Sequence, residues 1–432
     1  MRQKEFAKDL LNYIDNSPTA YQAVSEAIEI LKTAGFNELK LEESWNILPN
    51  NSYYINIANS ALFAFKSGSG DLKEHGFKII GAHTDSPCFK LKPNHLMKSK
   101  NYVKLNTEKY GGMIMSTWFD RPLSIAGRCM LKGEDSFSPI EKNIMIEKDL
   151  VIIPNLAIHM NREINDGYKY NAQKDLLPII SLTDDDDEDL IKRICADELN
   201  VDKDEILSFD LYLYPREKGS LLGANEEFIS APRLDNLAMV HASIHALIES
   251  KPSKSTVCVS FADNEEIGST TYQGAKSHVF NSIYERICDA NNLKPEEKYI
   301  AYAKSFMLSA DMAHGYHPNY PEKADPTNAP LLGKGPVIKV AASRSYSTDA
   351  FGAAVFSELA KNEAVNIQYY TNPSDIRGGS TIGSLSETAL GIKNMDLGNA
   401  VFSMHSVREL GSVSDHYDIF KVFRAFFTEE CL

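Results

Sequence analysis

At four places in this 432-residue sequence, a short apolar run ends abruptly in acidic and imidazole side chains. Phe77-Lys78-Ile79-Ile80-Gly81-Ala82 leads into His83-Thr84-Asp85-Ser86-Pro87, and Val257-Cys258-Val259-Ser260-Phe261-Ala262 leads into Asp263-Asn264-Glu265-Glu266-Ile267-Gly268-Ser269. Phe306-Met307-Leu308-Ser309-Ala310 leads into Asp311-Met312-Ala313-His314, and Val401-Phe402-Ser403-Met404 into His405-Ser406. A further acid, Asp235, opens a helical stretch after Ala231-Pro232-Arg233-Leu234. In open α/β sheets, sites form at the carboxyl ends of strands, which is where these groups would stand. Singly they say little. A lone histidine after a strand is ordinarily a hydrogen-bonded residue, and Glu-Glu ordinarily starts a helix near the favourable end of its dipole. Together they supply two imidazoles, three acids able to ligate, and a spare Glu beside one ligand. That set suffices for two zinc ions sharing a carboxylate, with a position left open for water. Three carboxylates and one hydroxide would also balance the charge of two divalent cations.

The elements that must position these groups follow from periodicity. Phe6, Leu10, Leu11 and Ile14 share one helical face, and Ala23, Val24, Ala27, Ile28 and Leu31 share another. Ser17-Pro18 reads as the start of the second helix, and Gly35 closes it. Tyr53–Ile57, Ala61–Lys66 and Phe77–Ala82 read as strands. From about Val257 onward, buried-strand runs (Val257–Ala262, Phe306–Ala310, Val337–Val340, Ile367–Tyr370) alternate with helical stretches, and Leu237–Ile248 and Phe420–Phe427 also read as helices. That alternation predicts an α/β sheet covered on both faces. The middle, from about Pro93 to Phe228, has many short β-like runs and an acidic run, Asp184–Asp189, that reads as a charged loop. It is expected to be a mostly β domain at 93–228, inserted into an α/β domain at 1–92 plus 229–432.

Composition narrows the function. Apolar residues are 43% and charged residues 24%, the balance of a soluble globular protein. No run approaches the about 18 consecutive apolar residues of a membrane span, and the N-terminus carries no apolar signal core. With 45 basic and 59 acidic residues the net charge is −14, which disfavours a phosphate backbone as partner. The six cysteines (Cys88, Cys129, Cys195, Cys258, Cys288, Cys431) are scattered and form no Cys-x-x-Cys pair, so neither a disulfide framework nor a structural zinc site is expected. The expectation is a cytoplasmic protein without nucleic-acid or membrane partners. Gly68-Ser69-Gly70 and Gly378-Gly379 lack the strand-turn-helix phosphate fingerprint. Neither a Gly-x-Ser-x-Gly elbow nor a His-Glu-x-x-His helix occurs. His241 and His245 lie four apart, which suits packed or capped histidines and leaves a metal reading as the alternative.

The motifs, taken in order, resemble those of the aspartyl aminopeptidase family of dinuclear zinc aminopeptidases. They are His83-Thr84-Asp85-Ser86-Pro87, Asp235-Asn236, Asp263-Asn264-Glu265-Glu266-Ile267-Gly268-Ser269, Ser309-Ala310-Asp311-Met312-Ala313-His314 and Met404-His405-Ser406, joined by Asn155-Leu156-Ala157-Ile158-His159 in the middle. The resemblance spans nearly the whole chain. It implies a zinc-exopeptidase-type α/β/α sandwich whose insert pairs two chains. His83 and Asp311 would bind one zinc, Glu266 and His405 the other, and Asp235 would bridge them, with Co²⁺ or Mn²⁺ as substitutes. Asp85 would orient His83, and Glu265 would be the general base. His159 would reach a partner chain's site, in a homo-oligomer built from dimers toward a tetrahedral dodecamer. Lys339, Tyr346 and the loop Gly378-Gly379-Ser380-Thr381 would line the substrate pocket, where Ala341 and Ser345 depart from the family pattern. A snorkelling lysine is the plainer reading of Lys339, and a histidine packed in the insert's own sheet that of His159. The expected activity is release of an acidic or neutral N-terminal residue from peptides with a free N-terminus. A dinuclear zinc carboxypeptidase or amide deacylase could share the metal chemistry, and a metal-dead assembly protein is the reading from another class.

Overall fold

All seven residues of Phe77–His83 are buried, as expected of a parallel strand covered on both faces. The computed structural model describes residues 2–183, 187–376, 379, 383 and 391–430. The chain divides into two units. One comprises Met1–Asp85, Gly219–Met404 and Glu409–Leu432; the other comprises Ser86–Lys218 and His405–Arg408. The breaks fall at 85/86 and 218/219 rather than 92/93 and 228/229. Strand Cys88–Ser99 pairs with Tyr102–Tyr110 in the second unit's sheet, whereas Ser220–Leu222, Phe228–Ala231 and Glu409–Ser412 form a small sheet in the first.

Among the described residues, the first unit has a nine-stranded sheet. Its order is Asn37–Glu38, Ser52–Ile57, Ala61–Lys66, Thr256–Ala262, Phe77–His83, Phe306–Ala310, Lys393–Gly398, Val337–Lys339 and Gln368–Tyr370. The four central strands, Thr256–Ala262 to Lys393–Gly398, run parallel. Alternate side chains enter opposite cores. Ile80, Ala82, Val257, Val259, Phe261 and Leu308 pack with helices Arg2–Asp15, Ala20–Thr33, Leu234–Glu249, Ala350–Asn362 and Val413–Thr428. Phe77, Ile79, Cys258 and Met307 pack with helices His278–Ala290 and Pro295–Ala303 on the other face. The result is an α/β/α sandwich, as the alternation predicted. One boundary differs: the second helix starts at Ala20 with Thr19 as its cap residue, not at Ser17-Pro18. Its first i→i−4 bond is Ala23 N–H to the Thr19 carbonyl, at 2.9 Å.

Among its described residues, the second unit has a six-stranded antiparallel sheet in the order Ile140–Met145, Leu123–Leu131, Ile206–Pro215, Cys88–Ser99, Tyr102–Tyr110, Ile179–Leu182. Helix Leu190–Leu199 closes its core through Ile191, Cys195 and Ala196. Residues 184–186 of the acidic run lie outside the described set. Two of the remaining residues are ion-paired, Asp187 to Arg193 and Asp189 to Lys203.

Candidate metal centre

Three parallel neighbours end side by side, and that geometry assembles the site. Ala262 is paired with His83, and Ser309 with Gly81. The Thr84 N–H donates to the Ala262 carbonyl at 2.9 Å, and the Asp311 N–H to the Leu397 carbonyl at 2.9 Å. His83, the Asp263–Glu266 segment and Asp311 therefore leave one edge of one sheet. The neighbouring strand must end in glycine: a Cβ on Gly398 would stand 1.9 Å from the Asp311 carbonyl oxygen.

Asp235 arrives from the first turn of helix Leu234–Glu249, where Asp235 and Asn236 have non-helical backbone and are joined by a cis peptide. Its N–H donates to Glu409 Oε2 at 2.9 Å, and Asn236 Nδ2 donates to the Ala310 carbonyl at 2.8 Å. The helix start is thus tied directly to the end of strand Phe306–Ala310.

His83 Nε2 lies 3.4 Å from Asp235 Oδ1 and 3.5 Å from Asp311 Oδ1. Two ligands of one tetrahedral zinc, each at the usual bond length, stand about 3.3 Å apart, so the residues present fit the ion. His83, Glu265 and Glu266 make an adjoining group whose ligand atoms lie within 4.8 Å of one another. Asp85 joins the two groups. Its Oδ1 and Oδ2 accept the N–H groups of Glu265 and Glu266, both at 3.1 Å. Its carbonyl oxygen is 3.1 Å from His83 Nδ1, and Oδ1 is 3.4 Å away. A proton on Nδ1 shared with Asp85 leaves the Nε2 lone pair facing Asp235 and Asp311.

The electrostatics show how much negative charge is gathered here. Burial by itself would lower the pKa of His83, but Asp235, Asp311, Asp85 and Glu265 together hold it well above its ordinary value. Glu265 is pushed up to about 8, by burial first and then by Asp311, Glu266 and Asp85, against the opposing His83 charge. Asp263 is raised to about 7 by burial and the neighbouring Asp85 charge. A divalent cation among these groups would relieve both the desolvation and the repulsion.

The other expected site residues are placed as follows. Lys339 is 2% exposed, with Nζ donating to Asp311 Oδ2 at 3.0 Å and to the Met312 carbonyl at 3.1 Å. Its head group is not at the surface, so it does not snorkel. Burial disfavours its charge, yet Asp311, Tyr346 and Asp396 raise its pKa. Tyr346 is buried, with its ring centroid 5.3 Å from Lys339 Nζ. Gly379 lines a cavity of ≈ 310 Å³ together with His314, Tyr316, His317, Tyr370 and Asn372; neither Lys339 nor Tyr346 is among its described lining. Gly378, Ser380 and Thr381 lie outside the described residues. His405 follows Met404 and is grouped with the second unit, its carbonyl accepting from the Ile114 N–H at 3.0 Å. His159, also in the second unit, is exposed in a turn and not packed in the sheet. Glu409, only 2% exposed, was not legible as a site residue, because Val407-Arg408-Glu409-Leu410 carries no motif and its partner Asp235 is 174 positions away.

The family model described as "Aminopeptidase I zinc metalloprotease (M18)" matches residues 13–427. The "Probable M18 family aminopeptidase 2" of Clostridium novyi (strain NT) is 50% identical over 426 residues, covering 98% of each chain. The chain is also similar to Ape4 in the cryo-EM structure of the Ape4 and Nbr1 complex, with TM-score 0.95 and 36% identity, over 99% of this chain and 86% of that one. The S. cerevisiae mApe1 dodecamer matches with TM-score 0.86 and 28% identity, over 99% of this chain and 97% of that one. Among the described residues, no helix is long and apolar enough to cross a membrane.

Proposed function

The chain belongs to the M18 aminopeptidase I zinc metalloprotease family, and from that premise we propose how its own residues divide the work of releasing an N-terminal residue. Membership sets aside the carboxypeptidase, deacylase and non-catalytic readings. His83 and Asp311 would hold one zinc, Glu266 and His405 a second, with Asp235 shared; Co²⁺ or Mn²⁺ suit the same donors. The metal supplies Lewis acidity that acidifies water and polarises the scissile carbonyl.

The observation that carries this reading is the double grip of Asp85. One carboxylate fixes the backbone of both Glu265 and Glu266 while standing beside His83 Nδ1. Glu265 and Glu266 each bring a carboxylate oxygen within 4.8 Å of a ring nitrogen of His83, so one can ligate while the other exchanges protons. Glu265 would take the proton of the attacking water and return it to the leaving amine. The test is metal content. Glu266→Gln should bring zinc per chain from about two toward one, because an amide is a poorer ligand than a carboxylate. Unchanged zinc in a folded Glu266→Gln protein would remove Glu266 from the ligand set.

The geometry of Lys339 favours holding Asp311 over reading an acidic substrate side chain, since two of its donors are committed within 3.1 Å. Lys339→Met should lower kcat/KM for Asp-, Glu- and Leu-substrates by similar factors, each about tenfold or more, because it leaves one carboxylate oxygen of the half-buried Asp311 without its cation. A loss confined to Asp- and Glu-substrates would return Lys339 to the specificity pocket. The Gly379 cavity, lined by rings, amides and Lys323, suits a neutral first side chain as well as an acidic one. The working form proposed is a cytoplasmic homo-oligomer built from dimers, as large as a dodecamer, acting on peptides with a free N-terminus.

A further inference from the structure

Away from the catalytic set, four titratable side chains from three helices converge around Phe6. Asp9 lies on Arg2–Asp15, His241 and His245 on Leu234–Glu249, and His416 on Val413–Thr428. The i, i+4 spacing puts His241 and His245 on one helical face, with ring centroids 4.4 Å apart. Asp9 Oδ2 stands opposite that pair, 3.2 Å from His241 Nε2 and 3.1 Å from His245 Nε2. Those spacings are close to the about 3.3 Å between two ligands of a tetrahedral zinc.

We propose that Asp9, His241 and His245 form a separate transition-metal site that takes Zn²⁺ and staples the N-terminal helix to the helix carrying Asp235. Three protein donors with a fourth position open to solvent is a recognised zinc geometry. The required tautomers place protons on His241 Nδ1 and on His416 Nδ1, the latter buried without a hydrogen-bond partner. If His241 ligates through Nε2, its proton sits on Nδ1, which is 3.1 Å from His416 Nε2 and can donate to it. His416 then acts as the group that orients a ligand, and is itself held against Phe6 at 4.9 Å between ring centroids. His245 Nε2 is buried with no hydrogen-bond partner, since its approach to Asp9 lacks hydrogen-bond geometry. A metal would satisfy that orphaned atom. His241 is fully buried and its pKa is lowered to about 4, by burial first, so the ring is neutral and its lone pair is available at neutral pH. Access comes from the other two ligands: the Asp9 side chain is 53% exposed and that of His245 22%. Regular helix resumes at Leu237 after Asp235 and Asn236, and His241 lies a further four residues, about 6 Å, along its axis, so this ion would be distinct from the catalytic one.

The test is made on the full-length protein, stripped with chelator and reloaded with Zn²⁺ alone. Elemental analysis should find one zinc fewer per chain in the Asp9→Asn/His245→Gln double variant than in wild type. At zinc about tenfold above Kd, mass action leaves about a tenth of sites open; zinc on Nε2 keeps the His245 proton on Nδ1, so reaction of diethyl pyrocarbonate at either nitrogen of this 22% exposed side chain should slow about tenfold. Equal zinc content in the two proteins, or a His245 modification rate indifferent to zinc, would overturn the site. If the double variant does not fold, the wild-type footprint decides alone. Neither substituted residue belongs to the catalytic set, and the footprint reads His245 directly, so its outcome is independent of the ligand assignment proposed above.

Discussion

Replacing Glu265 by Gln should leave zinc content unchanged and lower kcat by about 10²–10⁴-fold, the usual contribution of a positioned general acid–base. The substitution keeps the shape of the side chain and removes only its ability to exchange a proton. It also leaves intact the contact that fixes the residue, because Asp85 Oδ1 holds the Glu265 backbone N–H and not its side chain. The turn Glu265–Ile267 should therefore persist, with Glu266 still held through Asp85 Oδ2. Comparing the two neighbouring variants separates the roles: Glu265→Gln should cost turnover with metal retained, and Glu266→Gln should cost metal first. A Glu265→Gln protein with full zinc and wild-type kcat would show that another group carries the proton.

The second large effect belongs to His159. His159→Ala should reduce kcat by about 10²–10³-fold, roughly 3–4 kcal/mol, the loss seen when one donor to a developing oxyanion is removed. Its own unit offers it no obvious structural task. It sits exposed in a turn among residues that are themselves apolar and exposed, Leu156 at 53%, Ile158 at 47% and Met160 at 74%. Single exposed apolar side chains are ordinary, but several on one segment beside an imidazole suit a surface that another copy of the chain covers. In the proposed dimer each chain lends its His159 to the other's catalytic centre, so a monomer would be nearly inactive with its metals bound. Mixing His159→Ala with Glu265→Gln under subunit exchange creates sites that hold both an intact Glu265 and a donated imidazole, and part of the activity should return. Proven exchange with no recovery would place the action of His159 within its own chain.

Much of the fold was legible because the relevant signals are local. The short, mostly apolar runs at Phe77–Ala82, Val257–Ala262 and Phe306–Ala310 read as strands buried on both faces, and the structure has strands at each. The acids and imidazole at their ends could be singled out for the same reason, since an apolar run that stops at His83, Asp263 or Asp311 marks where a covered strand reaches an edge. Periodicity and residue type determined those elements and the chemical inventory of the site.

What the chain could not reveal along its length is which distant groups meet. Asp85 reaches residues 180 positions away, Glu409 holds Asp235 across 174, and Asp9 faces His241 across 232. Lys339 could be read as a cation for substrate or as a snorkelling lysine; only strand order, which places Val337–Lys339 beside Lys393–Gly398 near Asp311, gives it a carboxylate partner. The unit boundaries moved for the same reason, since Cys88–Ser99 and Phe228–Ala231 join the sheets that offer them partners. Backbone propensity and hydrophobic period act over a few residues, and they determined this protein's elements and which acids and imidazoles stand at their ends. Pairing between strands and helices is set by burial summed over the whole chain, and it alone decided which carboxylate stands beside which imidazole.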